Sequence, residues 1–396
     1  MIIKYLKIRY LYCFFNQFFV YLSDNQMDTK NRISTIFPYF SEMQDFRLDR
    51  KKQHLLTDII TIAIAAVLSG MKSYDDIEDF GVVREDWLKT FLELPNGIPS
   101  HDTFNRVFAN MDPLKFEKCF RKWVGSILES HAGQLISIDG KTIRGAKSHG
   151  IKSPIHMVSA WASDSNMVLG QVKVSEKSNE ITAIPELLNS LFIKDCLISI
   201  DAMGCQEDIA ECIIKGKGDY LLAVKNNQPS LYENIEDSFR FLKIAGYDET
   251  TDIGHGRIET RKCTVITDLA HIEKPERWKN LTVLVKMDSE RCFKATGKIE
   301  KATRYYIGSK LAGASFYQQN IREHWGIENK LHWMLDVGFQ EDADRKRNKN
   351  AAQNFSLINK VALNILKNDE TKTCSVRRKK NLAAWDAKYL LKLLNF

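Results

Sequence analysis

The sequence Leu-Ile-Ser-Ile-Asp occurs twice in this chain, ending at Asp139 and again at Asp201. Each copy is a short apolar, β-branched run that ends in a carboxylate, and Gly140 or Gly204 follows closely enough to let the backbone turn away. The repeat predicts two strands side by side in one sheet, with both aspartates at corresponding ends. Carboxylates placed in this way can hold divalent metal ions, which favours phosphodiester chemistry on nucleic acids.

The composition indicates a folded protein with a basic surface. The chain has 396 residues, of which 44% are hydrophobic and 10% aromatic, so we expect two or three domains. Its formal net charge is +7, and residues 371–396 hold seven Lys or Arg residues against Asp386 alone. A polyanionic partner and a solvated basic helix end both explain this tail.

The cysteines and the apolar segments bear on the cellular compartment. Eight cysteines show no C-x-x-C spacing, which argues for reduced thiols in a cytosolic protein. We expect residues 1–27 to be a non-structural leader, because their apolar run is interrupted by Asn16 and Gln17 and lacks a cleavage site. Residues 57–70 are too few to span a bilayer and predict a buried helix, so no membrane span is expected.

The residue patterns divide the rest of the chain into four parts. Residues 28–130 predict a helical N-terminal domain, which could recognise DNA ends or only pack, with helices near 53–70, 74–94, 101–110 and 113–130. Residues 131–228 predict the first part of an α/β core with a mixed sheet. Its strands are expected at 135–139, 155–163, 167–175, 196–201 and 219–225, and its helices at 180–192 and 206–216. A β-rich insertion follows at 229–305, and strands are expected in this region at 256–268, 281–288 and 301–308. Residues 306–396 return to the core with a helix at 315–336 and the basic C-terminal region.

A third acid lies on that last helix. At 100° per residue, Glu328 falls in the middle of an apolar arc, where a carboxylate is costly unless a metal ion or a basic group meets it. His324 and His332 lie one turn to either side, so a zinc or transition-metal site is a competing interpretation, although no further ligand cluster supports it. Otherwise the histidines pack, bond Glu328 or contact substrate phosphates.

Several segments together carry a family resemblance. They are GIPSHDTFNRVF (97–108), SIDGKTIRGA (137–146), EITAIPELL (180–188), ISIDAMGCQ (198–206), GHGRIETR (254–261) and REHWGIENKLHWMLDVGFQEDADR (322–345). The chain resembles the bacterial insertion-sequence DDE transposases, and within them the H-repeat-associated branch linked to Rhs elements. The resemblance extends from about residue 35 to the C terminus.

The resemblance implies an RNase H-like fold whose catalytic, metal-binding acids are Asp139, Asp201 and Glu328. It implies cleavage and strand transfer of double-stranded DNA, at element ends and target, by a homodimer with two Mg2+ or Mn2+ ions. One departure is clear. Related transposases often carry Tyr, Arg and Lys around the catalytic Glu, at positions that Ile321, His324 and Leu335 occupy here, so basic DNA contacts must come from elsewhere.

Several basic and amide side chains are candidate DNA contacts, each with a structural alternative such as surface charge or a salt-bridge ladder. They are Lys141, Arg144, Lys225, Asn227, Arg257, Arg261, Arg322 and Lys330. Trp278 could stack on an unpaired base or belong to the core. Gly140-Lys141-Thr142 looks like the end of a phosphate-binding loop, but Leu135 replaces its first glycine, which excludes that motif.

Two alternatives to an active transposase stay open. One is an inactive or domesticated copy that binds DNA without catalysis. The other is a nuclease on the same fold, which would cut DNA but never join a 3′-hydroxyl to a target.

Overall fold

The computed structural model describes residues 36–128, 133–146, 154–175 and 179–395. The predicted leader lies outside these residues. These described residues form two compact units, one comprising residues 36–104 together with 380–395, the other comprising the described residues between 105 and 379. The predicted domain boundaries at residues 27, 130, 228 and 305 stay predictions.

The helices before the sheet are α1 (Phe37–Ser41), α2 (Leu56–Leu68), α3 (Tyr74–Val83), α4 (Glu85–Leu88), α5 (His101–Asn110) and α6 (Pro113–Ile127). The predicted helix over 74–94 is therefore wrong in its length. It divides into α3 and α4, and Leu94 beyond them adopts a left-handed backbone with φ 42°.

In the first unit, α2 is buried along almost its whole length, as the apolar run at 57–70 predicted. Asp58 on this helix is also buried, and its carboxylate accepts a hydrogen bond from the Leu94 amide at 3.0 Å. Ser73 begins α3 with a capping box, in which the side chains of Ser73 and Asp76 bond each other's backbone amides. No helix within the described residues is long and apolar enough to cross a membrane.

The second unit contains a nine-stranded sheet. Its strands are β1 (Leu135–Ile143), β2 (Ile155–Ala162), β3 (Met167–Lys173), β4 (Leu197–Ile200), β5 (Asp219–Val224), β6 (Gly246–Gly254), β7 (Arg257–Ile266), β8 (Val283–Phe293) and β9 (Ile299–Gly308). Among and after these strands in the sequence lie the helices α7 (Glu180–Asn189), α8 (Glu207–Lys215), α9 (Pro229–Phe241), α10 (Ala314–His324), α11 (Ala351–Asn368), α12 (Val376–Trp385) and α13 (Ala387–Leu394). Of these, α13 and the part of α12 from residue 380 onwards belong to the first unit.

The strand order is β3-β2-β1-β4-β5-β9-β8-β7-β6. β4 pairs in parallel with both β1 and β5, whereas the other neighbouring strands are antiparallel. The sheet is therefore mixed, as the alternation of strands and helices predicted. The strands of the insertion do not form a sheet of their own, because β9 pairs with β5 and extends the core sheet at that edge.

One hydrophobic core cluster of this unit lies between the sheet and α10. Side chains from β1, β4, β5, β7, β8 and β9 pack there against Tyr317 and Ile321, both at most 6% exposed. On β3, the amide and carbonyl of Val168 both bond the Asn364 side chain of α11, at 2.8 and 2.9 Å. These contacts hold the elements that carry the candidate acids against one sheet.

Two predicted boundaries near the site are wrong. β1 does not end at Asp139 but continues through Gly140 to Ile143, paired with β2 throughout. The helix predicted over 315–336 keeps α geometry only to His324, and π-helical turns follow at Ile327–His332 and Met334–Gly338. A π turn is wider than an α turn, so side chains beyond His324 leave the phase that 100° per residue assigns them.

Candidate active site

The parallel pairing of β1 with β4 brings Asp139 and Asp201 to the same edge of the sheet. Ile138 and Ile200 are register partners, and each aspartate is the next residue along the chain. Asp139 lies within β1, and its Oδ1 accepts a hydrogen bond from the Gly140 amide at 2.9 Å. Asp201 comes directly after β4, where it caps a 3-10 turn and accepts from the Met203 amide at 3.0 Å.

Glu328 and His332 lie against Asp139. One ligand atom from each of these three residues lies within 4.8 Å of the other two. The Nδ1 atom of His332 is 3.5 Å from Asp139 Oδ2 and 3.4 Å from Glu328 Oε2. Asp201 is not a member of this cluster, so the structure joins two of the three predicted acids closely and places the third beside them at the sheet edge.

The phase of Glu328 differs from the prediction. Its side chain is 52% exposed rather than pointing into the core, whereas His332 is almost fully buried. The π turn over Ile327–His332 gives the physical reason, since it rotates Glu328 towards the open edge of the sheet, where a substrate could reach it.

The pKa values of Asp139 and Glu328 are shifted in opposite directions. Burial and the neighbouring Glu328 carboxylate raise the pKa of Asp139 to about 8. Contact with His332 lowers the pKa of Glu328, which is therefore the ionised member of the pair at neutral pH. Burial, and then the charge of Glu180, raise the pKa of Asp201. Asp139 and Asp201 thus both have raised pKa values, and a cation bound at this edge would stabilise their ionised forms.

The donor set suits a divalent cation. Asp139 and Glu328 offer carboxylate oxygens, and His332 offers an imidazole nitrogen. His332 Nε2 is buried and has no hydrogen-bond partner among the described residues. His324 does not belong to this cluster, because its Nδ1 instead lies 2.8 Å from Ser199 Oγ. Burial lowers the pKa of His324 to about 4, so its imidazole is neutral at pH 7. The competing zinc site with both histidines is therefore not formed.

Gly140 has a spatial role that the sequence did not reveal. A Cβ atom at this position would lie 2.2 Å from Glu180 Oε1 and 2.4 Å from His156 Nε2. These two side chains contact each other at 2.6 Å, and Thr142 Oγ1 lies 2.8 Å from His156 Nδ1. Gly140 therefore makes room for a His–Glu pair beside Asp139 instead of ending the strand.

The predicted DNA contacts fall in different surroundings. Lys141 is 9% exposed, and its ammonium lies among three carboxylates. Arg144 is exposed. Lys225 and Asn227 follow β5 beside the Asp201 loop, where the Asn227 amide donates to the Ala202 carbonyl at 2.6 Å. Lys330 is exposed and bonds Asn166 at 3.2 Å. Trp278 is 5% exposed and belongs to the core.

The remaining three candidates meet in one groove, which we call the arginine groove. It encloses about 410 Å³ and contains five arginines, Trp325 and the buried carboxylate of Glu259. The arginines are Arg257, Arg261, Arg291, Arg304 and Arg322. Glu259 accepts ion pairs from three of them at 2.8–3.5 Å, and the Arg304 guanidinium lies 5.7 Å from the centre of the Trp325 ring.

Sequence reasoning missed Arg291, Arg304 and Trp325. The predicted strand over 281–288 stopped before Arg291, whereas β8 continues to Phe293 and places Arg291 opposite Glu259. A predicted strand extended to residue 293 would have included Arg291. Its pairing with Glu259 on the neighbouring strand is a cross-strand pair of opposite charges. Arg304 and Trp325 meet only through the packing of α10 on the insertion strands.

The fold and the match to a family profile together identify a DDE transposase. The profile of the family "Transposase DDE domain" matches residues 130–365, and that of the family "DDE_Tnp_1-associated" matches residues 37–124. The chain belongs to this transposase family, in its H repeat-associated branch. The predicted RNase H-like α/β fold is thereby confirmed. Members of the family act on DNA and generally use divalent metal ions.

Relatives from Escherichia coli agree in name. The protein "Putative transposase YncI" of strain O157:H7 is 44% identical, over 91% of this chain and 95% of its own. "H repeat-associated putative transposase YhhI" of strain K12 is 42% identical, over 91% and 98%. A short relative from K12, "Inactive transposase YbfQ", is 41% identical over 19% of this chain.

Proposed function

We propose that this protein catalyses metal-dependent cleavage and strand transfer of the DNA ends of an insertion element. The observation that carries the proposal is the cluster of Asp139, Glu328 and His332 at the sheet edge where Asp201 also lies. The proposed catalytic and metal-binding residues are the acids Asp139, Asp201 and Glu328. The proposed substrates are element ends and target DNA, bound by a homodimer on the bacterial nucleoid, with end recognition assigned to the helical N-terminal domain.

Asp139, Glu328 and His332 would hold Mg2+ or Mn2+, with Asp201 contributing to a two-ion site. When bound, such ions supply an activated attacking oxygen and stabilisation of the leaving oxygen. The protein's own residues prepare the site. His332 holds the Glu328 carboxylate in place, and Asp139 must lose its proton before it can act as a ligand.

The arginine groove is the proposed contact for the DNA backbone. Arg257, Arg261 and Arg322 belong to it, and Arg291 and Arg304 increase its positive charge. Glu259 holds three guanidinium groups in fixed orientations, which lowers the entropy cost of binding phosphates. The groove also includes Trp325, which lies one turn before Glu328, so bound DNA would pass close to the acids. Lys225 and Asn227 are further proposed contacts, near Asp201.

Strand cleavage and joining on a labelled element-end duplex with Mg2+ or Mn2+ tests the proposal. Asp139→Asn, Asp201→Asn and Glu328→Gln should each abolish both products while retaining DNA binding. Asp237→Asn on α9 is the matched control and should retain activity, because its half-exposed carboxylate pairs with Arg240 of the same helix, away from the acids. Cleavage without joining would favour the nuclease. Binding with neither reaction would favour an inactive copy.

The groove needs a separate test. Arg291→Gln combined with Arg304→Gln should weaken DNA binding and reduce the slope of log affinity against log salt by about 0.9 for each phosphate that the variant no longer neutralises. Lys215→Gln, which removes an exposed charge on α8, is the control. An unchanged salt slope in the double variant would remove the groove from the DNA-binding surface.

A further inference from the structure

Lys141 is placed where it can connect the two elements that carry Asp139 and Glu328. Side chains two apart on a strand point to the same face, so Lys141 follows Asp139 on one face of β1. Its ammonium lies 2.7 Å from Asp336 Oδ1, 3.1 Å from Asp342 Oδ1 and 3.3 Å from Glu341 Oε2. All three carboxylates belong to the segment that directly follows Glu328 and His332.

Strand and helical segment therefore lie side by side. Glu328, His332 and Asp336 are spaced four residues apart along the π-helical turns. Asp139 meets the first two, and Lys141 meets the third. The ion pair thus fastens the neighbouring turn to β1, next to the contact that forms the metal-ligand cluster.

The backbone packing beyond Lys141 supports the same connection. Gly145, in the turn after β1, approaches the carbonyl oxygens of Asp344 and Asp342 so closely that a Cβ atom would lie 2.4 and 2.7 Å from them. Arg347 Nε donates to the Gly145 carbonyl at 3.1 Å. The end of β1 and residues 342–347 therefore form one packed unit.

Burial makes the charges of this region interdependent. Glu341 is 2% exposed and has Lys141 on one side and the buried Lys360 of α11 on the other, and both lysines lower its pKa. Lys360 Nζ donates to Ser356 Oγ at 2.7 Å. A buried carboxylate that loses its cationic partner strongly destabilises the folded state. The three carboxylates therefore hold the Lys141 ammonium in place, and it is not free to bind a phosphate.

We infer that Lys141 is a positioning residue, which sets the spacing of Asp139 and Glu328 by clamping β1 to residues 336–342. This inference rests on the proposed function, since it assigns a purpose to that spacing. It also moves Lys141 from the predicted DNA contacts to the support of the site. Residues that orient metal ligands without touching the metal typically change its affinity about 10- to 100-fold when substituted.

The test uses the full chain and two measurements. Lys141→Met should lower Mn2+ affinity in calorimetry by about tenfold or more. It should also increase amide hydrogen exchange across residues 327–338 in the metal-free protein, because that segment loses its attachment to β1. Lys379→Met is the matched control. This lysine is as buried as Lys141, but its ammonium bonds the Leu366 and Asp369 carbonyls at the end of α11, so neither measurement should change.

A second variant keeps the test decisive if Lys141→Met fails to fold. Lys141→Met with Asp336→Asn and Asp342→Asn removes the clamp and two of the charges it would orphan, while Glu341 keeps Lys360. This variant should fold and still show weaker Mn2+ binding and faster exchange. Unchanged exchange across 327–338, or an equal change in Lys379→Met, would overturn the inference. If the variants show the expected changes but the parent protein neither cuts nor joins DNA, only the proposed function is refuted.

Discussion

The pH dependence of metal binding should report the proton on Asp139. With a pKa of about 8, only about a tenth of this carboxyl is ionised at pH 7, and about a hundredth at pH 6. A cation must displace that proton, so the sign is fixed and apparent affinity falls as pH falls. Relative to the fully ionised site, we expect affinity to be lower by about tenfold at pH 7 and about a hundredfold at pH 6.

Calorimetric titration of the metal-free protein with Mn2+ from pH 6.0 to 8.5, in buffers of different ionisation enthalpy, measures both affinity and proton release. Close to one proton per protein should be released at pH 7. Asp139→Asn should lose most of the affinity at every pH. His332→Gln separates any contribution of the imidazole, and its affinity should still fall between pH 8 and pH 7, because Asp139 and Glu328 stay adjacent.

An affinity that stays constant between pH 6.0 and 8.5 would refute this reasoning. It would mean that Asp139 is already ionised in the metal-free protein, despite its burial and the nearby Glu328 carboxylate. The cluster would then carry a second negative charge at neutral pH.

Three further predictions concern stability, each measured by urea unfolding. In the metal-free protein between about pH 4 and pH 8, Asp139 is protonated in the folded state but ionised in the unfolded state. Its contribution to the free energy of unfolding is therefore fully present below about pH 4 and falls by about 1.4 kcal/mol per pH unit up to about pH 8. Asp139→Asn should remove that slope, and a parallel curve would contradict the assignment. Gly140→Ala should destabilise the protein by about 1–3 kcal/mol, because the added methyl group displaces the His156–Glu180 pair. The control is Gly125→Ala on α6, where the methyl group has open space and the change should be neutral or stabilising. Equal effects of the two substitutions would contradict this prediction. Lys360→Met should cost about 3–5 kcal/mol because it removes one of the two ammonium groups that stabilise the buried Glu341 carboxylate, and a loss below about 1 kcal/mol would show that the charges are not coupled.

The local sequence determined the elements and the candidate acids. Short β-branched runs ending at Asp139 and Asp201 were enough to predict neighbouring strands, and the observed register places the two residues side by side. The apolar run at 57–70 likewise predicted the buried helix that the structure has there, α2. Periodicity encodes which face of an element is buried, so such predictions need no knowledge of distant contacts.

Tertiary structure alone decided what several of these residues do. Gly140 looked like a turn, yet it makes room for Glu180, which lies 40 residues further along the chain. Lys141 looked like a surface charge, yet its partners lie about 200 residues away. Glu328 was assigned to the core by α-helical phase, and the π turn exposes it instead. Charge pairing and close backbone approach depend on residues that folding brings together, and no local pattern records which partners those are.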